Sequence, residues 1–249
     1  MYVELILRPQ RLADQVIYPD QARKLIAAAI GAHAPEQARF QRFLGRDGQG
    51  KTLQGRIGDD RNGEGFGRAP EIAFDGGRGF IRVYGIGADG GELLLSLATD
   101  LYRAVASEHG VTQQQLQQGD CEIEFKGFMV PHRIRLMVAC KRPGDRLEGI
   151  ESERTAALLR RHIVGGLVSQ SELLGMSRRQ VPKDSDVEIL EGRPYPVPIR
   201  DHVFASGLKD VVFAMPCRLK GPWLAGHLRS RGYGFMRAVD PTRSSRQEV

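Results

Sequence analysis

The order in which hydrophobic periodicity changes along this chain constrains its fold more than any other feature. Val3, Leu5 and Leu7 alternate with Glu4, Ile6 and Arg8. That period of two suits a strand with at least one buried face. A turn follows at Tyr18-Pro19-Asp20. Over residues 21–30, Ala22, Leu25, Ile26, Ala29 and Ile30 form one apolar stripe at helical spacing, with Arg23 at its edge and Lys24 opposite. Pro35 can open a second helix running to about Leu44. Phe40, Phe43 and Leu44 make its apolar side, and Arg39, Arg42 and Arg46, three and four apart, line the other. Strands are expected over 71–74 and 80–86, a helix over 92–108, and strands over 121–125 and 134–141. This β-α-β-β-α-β order is the ferredoxin-like arrangement.

The second half starts again with a helix over 151–165 and a helical piece over 169–176. A proline-rich stretch over 193–198 follows, then short strands over 211–215, 217–220 and 233–239. No internal sequence repeat is visible, so a second copy of the fold rests on element order alone. The expected class is α+β: two ferredoxin-like (RRM-like) domains in tandem, the second degenerate, with a C-terminal glycine-rich loop. The domains are drawn at 1–126 and 127–249. Residues 45–70, rich in Gly, Asp and Arg, are expected to form a long mobile loop in the first.

Charge points to the partner. The chain has 249 residues, a formal net charge of +6 and a pI of about 9.4. From 217 to 249 there are seven Lys or Arg against two acids, Asp240 and Glu248. Nearly the whole surplus therefore sits in the last segment, as a polyanion-binding surface requires. Three widely spaced cysteines give neither a CxxC pair nor a zinc spacing, and fit a reducing compartment. No apolar run reaches the length of a membrane span. The expectation is a cytoplasmic protein with no membrane contact and no metal or other cofactor.

Two motifs mislead. Residues 45–52, Gly-Arg-Asp-Gly-Gln-Gly-Lys-Thr, fit the phosphate-binding pattern GxxxxGK[ST]. That chemistry needs a buried strand before the glycines and a helix after them. Here an arginine-bearing helix precedes and more glycines follow, so no nucleotide cofactor is expected. Arg231-Gly-Tyr-Gly-Phe-Met-Arg237 overlaps the signature octamer of RNA-recognition motifs. In those domains a helix and a strand must follow, and only about a dozen polar residues remain.

The wider run is more specific. Lys220-Gly-Pro-Trp-Leu-Ala-Gly226-His-Leu-Arg229-Ser230-Arg231-Gly232-Tyr233-Gly234-Phe235 mixes glycines, basic residues and a serine and leads into a final strand. It resembles the C-terminal glycine-rich loop of the RAMP superfamily of CRISPR proteins, in particular their CRISPR-RNA-processing endoribonucleases. The arginine-bearing helices resemble the divergent type IV processing enzyme. Apart from any family, such glycines let backbone amides approach a phosphate, and Arg229 and Arg231 add forked donors. Lys220, Gly226, Arg229, Ser230, Arg231, Gly232, Tyr233 and Gly234, with Arg154, Arg160 and Arg161 on the second-half helix, are the candidate RNA-binding residues.

The resemblance implies metal-independent cleavage of precursor crRNA at a repeat hairpin. A ribose 2′-OH attacks the neighbouring phosphorus, leaving a 2′,3′-cyclic phosphate and a 5′-OH. The product hairpin then stays bound beside other effector subunits, the backbone-type RAMP proteins. Such chemistry needs a base, an acid and cationic stabilisation of the phosphorane. A histidine near the first helix is common in the family. His33 is the histidine in that region, and Tyr18 lies just before the helix. Arg23, Arg39 and Arg42 could converge with Arg243 on one cleft. Arginine is a poor proton shuttle but a good phosphate clamp. The catalytic candidates are therefore Arg23, His33, Arg39, Arg42 and Arg243. Two alternatives stay open: a non-catalytic RNA-binding subunit of a CRISPR effector complex, and an RRM-like RNA-binding protein outside CRISPR.

Overall fold

The structure, a computed structural model, describes residues 1–33, 38–44, 69–140, 147–200, 203–227 and 229–239. The expected 45–70 loop lies almost wholly outside them, including the GxxxxGK[ST] run. The first sheet contains β1 (Tyr2–Pro9), β2 (Ile72–Gly77), β3 (Phe80–Ile86) and β4 (Val111–Gly119), all antiparallel, in the order β2-β3-β1-β4. After β1 come α1 (Pro19–His33) and the short α2 (Ala38–Phe43); α3 (Gly87–His109) joins β3 to β4. Alternation on β1 sets the layer: Val3, Leu5 and Leu7 are fully buried and share a core with Ile26 of α1 and Leu94, Leu97 and Leu101 of α3.

The closing strand of this unit is not the expected 121–125 segment. It is β4, VTQQQLQQG, which pairs with β1 and whose seven interior residues are exposed. A strand exposed on both faces has no hydrophobic alternation to betray it. Cys121 instead leads into β5 (Glu122–Cys140), a 19-residue strand that also absorbs the expected strand over 134–141. The boundary drawn at 126/127 falls inside β5, which belongs wholly to the second sheet.

That sheet holds β5, β6 (Glu188–Arg200), β7 (Val203–Lys220), β8 (Trp223–Leu224) and β9 (Phe235–Ala238), in the order β6-β7-β5-β9-β8. Each half thus places its second strand at an edge, then its third, its first and its last. In the second half one long helix, α4 (Glu153–Leu173), replaces the two expected pieces, and residues 221–234 stand where the second crossover helix would be. That is the degeneracy. Pro194, Pro196 and Pro198 lie on the edge strand β6. Their alternate spacing puts the missing N–H groups on one side of the strand, the side that needs no pairing.

Leu159, Ile163 and Leu167 of α4 pack with Ile134, Phe213, Met215 and Trp223 in the second core. A smaller cluster joins the halves: Ala73, Tyr84 and Ile86 meet Leu224, and the Phe235 ring lies 5.2 Å from that of Tyr84. Among the described residues no helix is long and apolar enough to cross a membrane, and all three cysteines are free thiols.

Candidate nucleic-acid interface

The glycine-rich segment is docked onto the protein. Gly226, Gly232 and Gly234 have φ of 75°, 88° and 87°. A Cβ on Gly232 would lie 1.8 Å from the Phe74 carbonyl oxygen and 2.5 Å from Cβ of Pro19; one on Gly234 would lie 1.8 Å from the Ala225 carbonyl oxygen. Only glycine fits such contacts at a positive φ. The Gly232 and Gly234 amides donate to the Arg229 and Leu136 carbonyls at 2.8 and 2.9 Å. These two amides are engaged within the protein and are closed to a ligand.

The side chains of the segment divide. Tyr233 is 2% exposed, in a cluster with Val138, Val197 and Ala205, and burial pushes its phenol up. It is a core residue and no stacking platform. Arg229 is 8% exposed, and its Nη1 donates to Ser169 Oγ at 2.6 Å. Desolvation pulls its pKa down to about 10, which still leaves it charged at neutral pH. Arg231 is half-buried, and the Ser230 side chain lies outside the described residues. Lys220 is exposed and pairs with Glu122 at 2.7 Å and Glu124 at 3.8 Å.

Docking brings the Arg229–Arg231 turn against the start of α1. Arg23, one helical turn beyond Pro19, donates from Nη2 to the Leu44 carbonyl at 2.8 Å. Tyr18, just before the helix, is 47% exposed, and the Arg135 guanidinium sits 5.3 Å from its ring centroid. Tyr18, Arg135 and Arg231 therefore meet at one junction between the two halves, and Arg23 lies one turn further along α1 with its guanidinium turned to Leu44. His33 does not join it. It ends the 15-residue α1, about 20 Å along the axis from Pro19. Arg42 pairs with Glu71 at 3.1 Å and Asp89 at 3.7 Å. The side chains of His33 and Arg39, and all of Arg243, lie outside the described residues.

Sequence reasoning missed a second basic surface. Along β5 and β7 the buried residues Ile134, Cys217 and Leu219 alternate with the exposed Arg133, Arg135, Arg218 and Lys220. Period two thus throws one row of cations onto the outer face. Arg237 of β9 lies opposite Arg133 in register. Where this face meets the first sheet, a cleft of about 400 Å³ is lined by Tyr2, Arg82, Tyr84, Arg218, Lys220 and Arg237. Two buried acids of the first sheet hold its floor. Glu4 lies 2.7 Å from Arg82 Nε, and Asp75 accepts from Arg237 across the junction. The signal was present as alternating Arg in the run His-Arg-Ile-Arg-Leu, residues 132–136.

On α4, Arg154 and Arg161 are exposed and two turns apart, while Arg160 is half-buried against Glu153 and the Val187 carbonyl. Among the described residues no cluster of three His, Cys, Asp or Glu side chains is placed to hold a metal ion.

The family model described as type IV CRISPR-associated endonuclease Csf5 matches residues 5–241. The chain belongs to the Csf5 family. The tandem ferredoxin-like architecture agrees. A solved structure described as "Csf5, CRISPR-Cas type IV Cas6 crRNA endonuclease" is similar with a TM-score of 0.67 at 19% identity, over 96% of this chain and 100% of that one. A crystal structure of Cas6b is similar at 0.57 and 15% identity, over 96% and 100%. A Cas6 product complex is similar at 0.51 and 15%, over the same shares. No curated protein matches the sequence. The Csf5 family is one of CRISPR-associated endonucleases, and the sequence-level likeness to RAMP processing enzymes is thereby placed in its type IV branch.

Proposed function

We propose that this chain cuts CRISPR precursor RNA at a repeat hairpin, by attack of a ribose 2′-OH on the adjacent phosphorus, and keeps the product hairpin bound. The observation that carries this reading is the docking of Gly232 onto Pro19 and Phe74. It joins the basic C-terminal segment to the start of α1, sets Arg135 and Arg231 around one junction, and leaves Arg23 one helical turn away along α1. At that junction the scissile phosphate would lie.

The nucleophile comes from the RNA itself, so the protein's tasks are to align three atoms and to neutralise charge on the phosphorane. Arg23 is the residue we assign to the phosphate, with Arg39 and Arg243 as further donors. Its guanidinium is anchored on the Leu44 carbonyl, which fixes its direction at no reorganisation cost during reaction. Arg231 and the cations of the inter-sheet cleft hold flanking phosphates. Arg229, turned inward onto Ser169, and Arg42, held by two acids, position the segments that carry the others. Catalysis by charge without a tuned proton shuttle is slow, which suits an enzyme that retains its product.

The test is single-turnover cleavage of a repeat RNA in EDTA. Cleavage leaving a 2′,3′-cyclic phosphate is expected. Full binding with no cleavage would make the chain a non-catalytic RNA subunit.

A further inference from the structure

β5 contains a feature that neither sheet pairing nor core packing explains. Phe125 pairs with Cys217, and the next pair is Val130 with Met215. Five steps along β5 therefore span two along β7, so four residues, Lys126-Gly127-Phe128-Met129, stand opposite Pro216 alone and are forced out as a bulge. Phe128 is 67% exposed, with Phe125 and Met129 exposed beside it. A Cβ on Gly127 would meet nothing within 4 Å, so the bulge is open to solvent at that point. A conformation that gives up strand pairing to expose two phenylalanines and a methionine makes their burial elsewhere worth seeking.

Met129 also lines a cleft of about 630 Å³, whose other walls are Arg160 and Arg161 of α4 and Asp184, Asp186 and Glu188. That volume suits a small ligand. The arginines come from the helix, where Arg160 is already bonded to Glu153 and to the Val187 carbonyl across the cleft, while Arg161 and, two turns before it, Arg154 are exposed. The carboxylates lie opposite and repel phosphate, but they accept hydrogen bonds from exocyclic amines and ring N–H groups. Asp186 is already used, accepting from the Lys183 amide at 2.8 Å, while Asp184 and Glu188 are exposed. A cleft with arginines and acceptors, reached by the bulge through Met129 and with the exposed Phe128 next to it in the chain, matches an unpaired nucleotide: base on the apolar bulge, amines toward the acids, phosphates along α4.

We propose that the Lys126–Met129 bulge and the α4 cleft form a second RNA site, which takes an unpaired nucleotide flanking the repeat hairpin. This rests on the proposed RNA-binding function and adds a single-strand subsite to it. Specificity for a base bearing an amine follows from the carboxylates.

The chain has one tryptophan, Trp223, which is fully buried. Phe128→Trp therefore places a lone exposed fluorophore on the bulge. Titration with a repeat hairpin carrying single-stranded flanks should quench that fluorophore, and the bare hairpin should not. Phe128→Ala should weaken the flanked RNA about tenfold by anisotropy, leave the bare hairpin unchanged and leave the melting temperature unchanged. Flanked RNA that binds the Trp variant tightly without quenching overturns the site while the proposed function stands. Affinity of Phe128→Ala for flanked RNA equal to that of the unaltered chain does the same, and so does loss only of binding to another protein. Failure of the unaltered chain to bind either RNA would instead defeat the underlying function.

Discussion

Arg229 of the glycine-rich segment donates to Ser169 of α4 at 2.6 Å, and both residues are buried. The most tempting phosphate-binding arginine in the sequence is thus a latch between the docked segment and the long helix of the second half. Removing Ser169 Oγ strips a partner from a desolvated guanidinium, which costs about 1–3 kcal/mol. Ser169→Ala should lower the melting temperature by several degrees in a chain of this size. The salt dependence of RNA binding should stay unchanged, because the number of phosphate contacts is the same. An unchanged melting temperature with a shallower salt slope would return Arg229 to the RNA surface.

Gly232 is where the fold is least tolerant. Alanine there meets both a positive φ and the Phe74 carbonyl oxygen at 1.8 Å. The strain of the backbone alone is of order 1 kcal/mol, and the overlap adds to it. The turn must therefore lift off β2 and Pro19. Gly232→Ala should lose RNA cleavage and show faster amide exchange at Gly234, whose N–H is held by the Leu136 carbonyl of β5. Normal cleavage by a folded Gly232→Ala variant would separate the docking from the active junction.

The parts of this architecture that were legible in the sequence are those with a one-sided environment. β1 alternates because one face meets α1 and α3; α1 carries its stripe for the same reason. β4 was illegible because both of its faces are exposed, so its glutamines carry no period. β5 and β7 were read as short strands because a bulge interrupts one, and because Pro216 and the positive φ of Asp210 break the pattern of the other. The glycine-rich segment was recognisable as special, but not why. Glycine is required equally by an anion nest and by close backbone packing, and only the neighbours distinguish the two. Arg135 and Arg218 were missed because single arginines on strands look like solvated faces until the sheets are placed together.

Arg231 and Arg218 are the side chains whose loss should be read in salt. Each phosphate contact contributes a slope of about 0.7–0.9 in log affinity against log salt. Arg231→Ala and Arg218→Ala should each weaken hairpin binding and reduce the slope by about one contact. A slope unchanged in both variants, measured from 50 to 300 mM salt, would remove the inter-sheet cleft and the junction from the RNA path.

Two buried histidines set the acid limit of the fold. His132 accepts from the Leu219 amide at Nε2, so its Nδ1 carries the proton and donates to the Val130 carbonyl at 2.9 Å. His162 donates from Nε2 to the Ala139 carbonyl at 2.8 Å. Desolvation lowers both from the usual 6.5 to about 4. The unfolded chain therefore binds protons that the folded chain refuses. Stability from these groups is full above pH 6.5 and is lost as pH falls toward 4, at up to about 1.4 kcal/mol per pH unit for each. Melting temperature should drop clearly between pH 6.5 and 5, before most carboxylates titrate. His132→Gln should flatten that drop, and an unflattened profile would exclude His132 as a contributor.

The sharpest test concerns the chemical step. Arg23 stands one turn into α1, one turn beyond the Pro19 that meets the docked segment, while His33 ends the same helix about 15 Å further on. If Arg23 contacts the scissile phosphate mainly in the transition state, its loss lowers the cleavage rate more than the affinity. Arg23→Ala should slow single-turnover cleavage by about a hundredfold to a thousandfold, with the dissociation constant changed far less. Arg23→Lys should recover only part of the rate, because an ammonium cannot make the forked contact. Arg39→Ala and Arg243→Ala should behave alike and combine less than additively with Arg23→Ala, since all would act on one phosphate. His33→Ala should cleave at the wild-type rate. The opposite pattern, a dead His33→Ala with intact binding beside an active Arg23→Ala, would assign the proton transfer to His33 and move the reacting phosphate to the far end of α1.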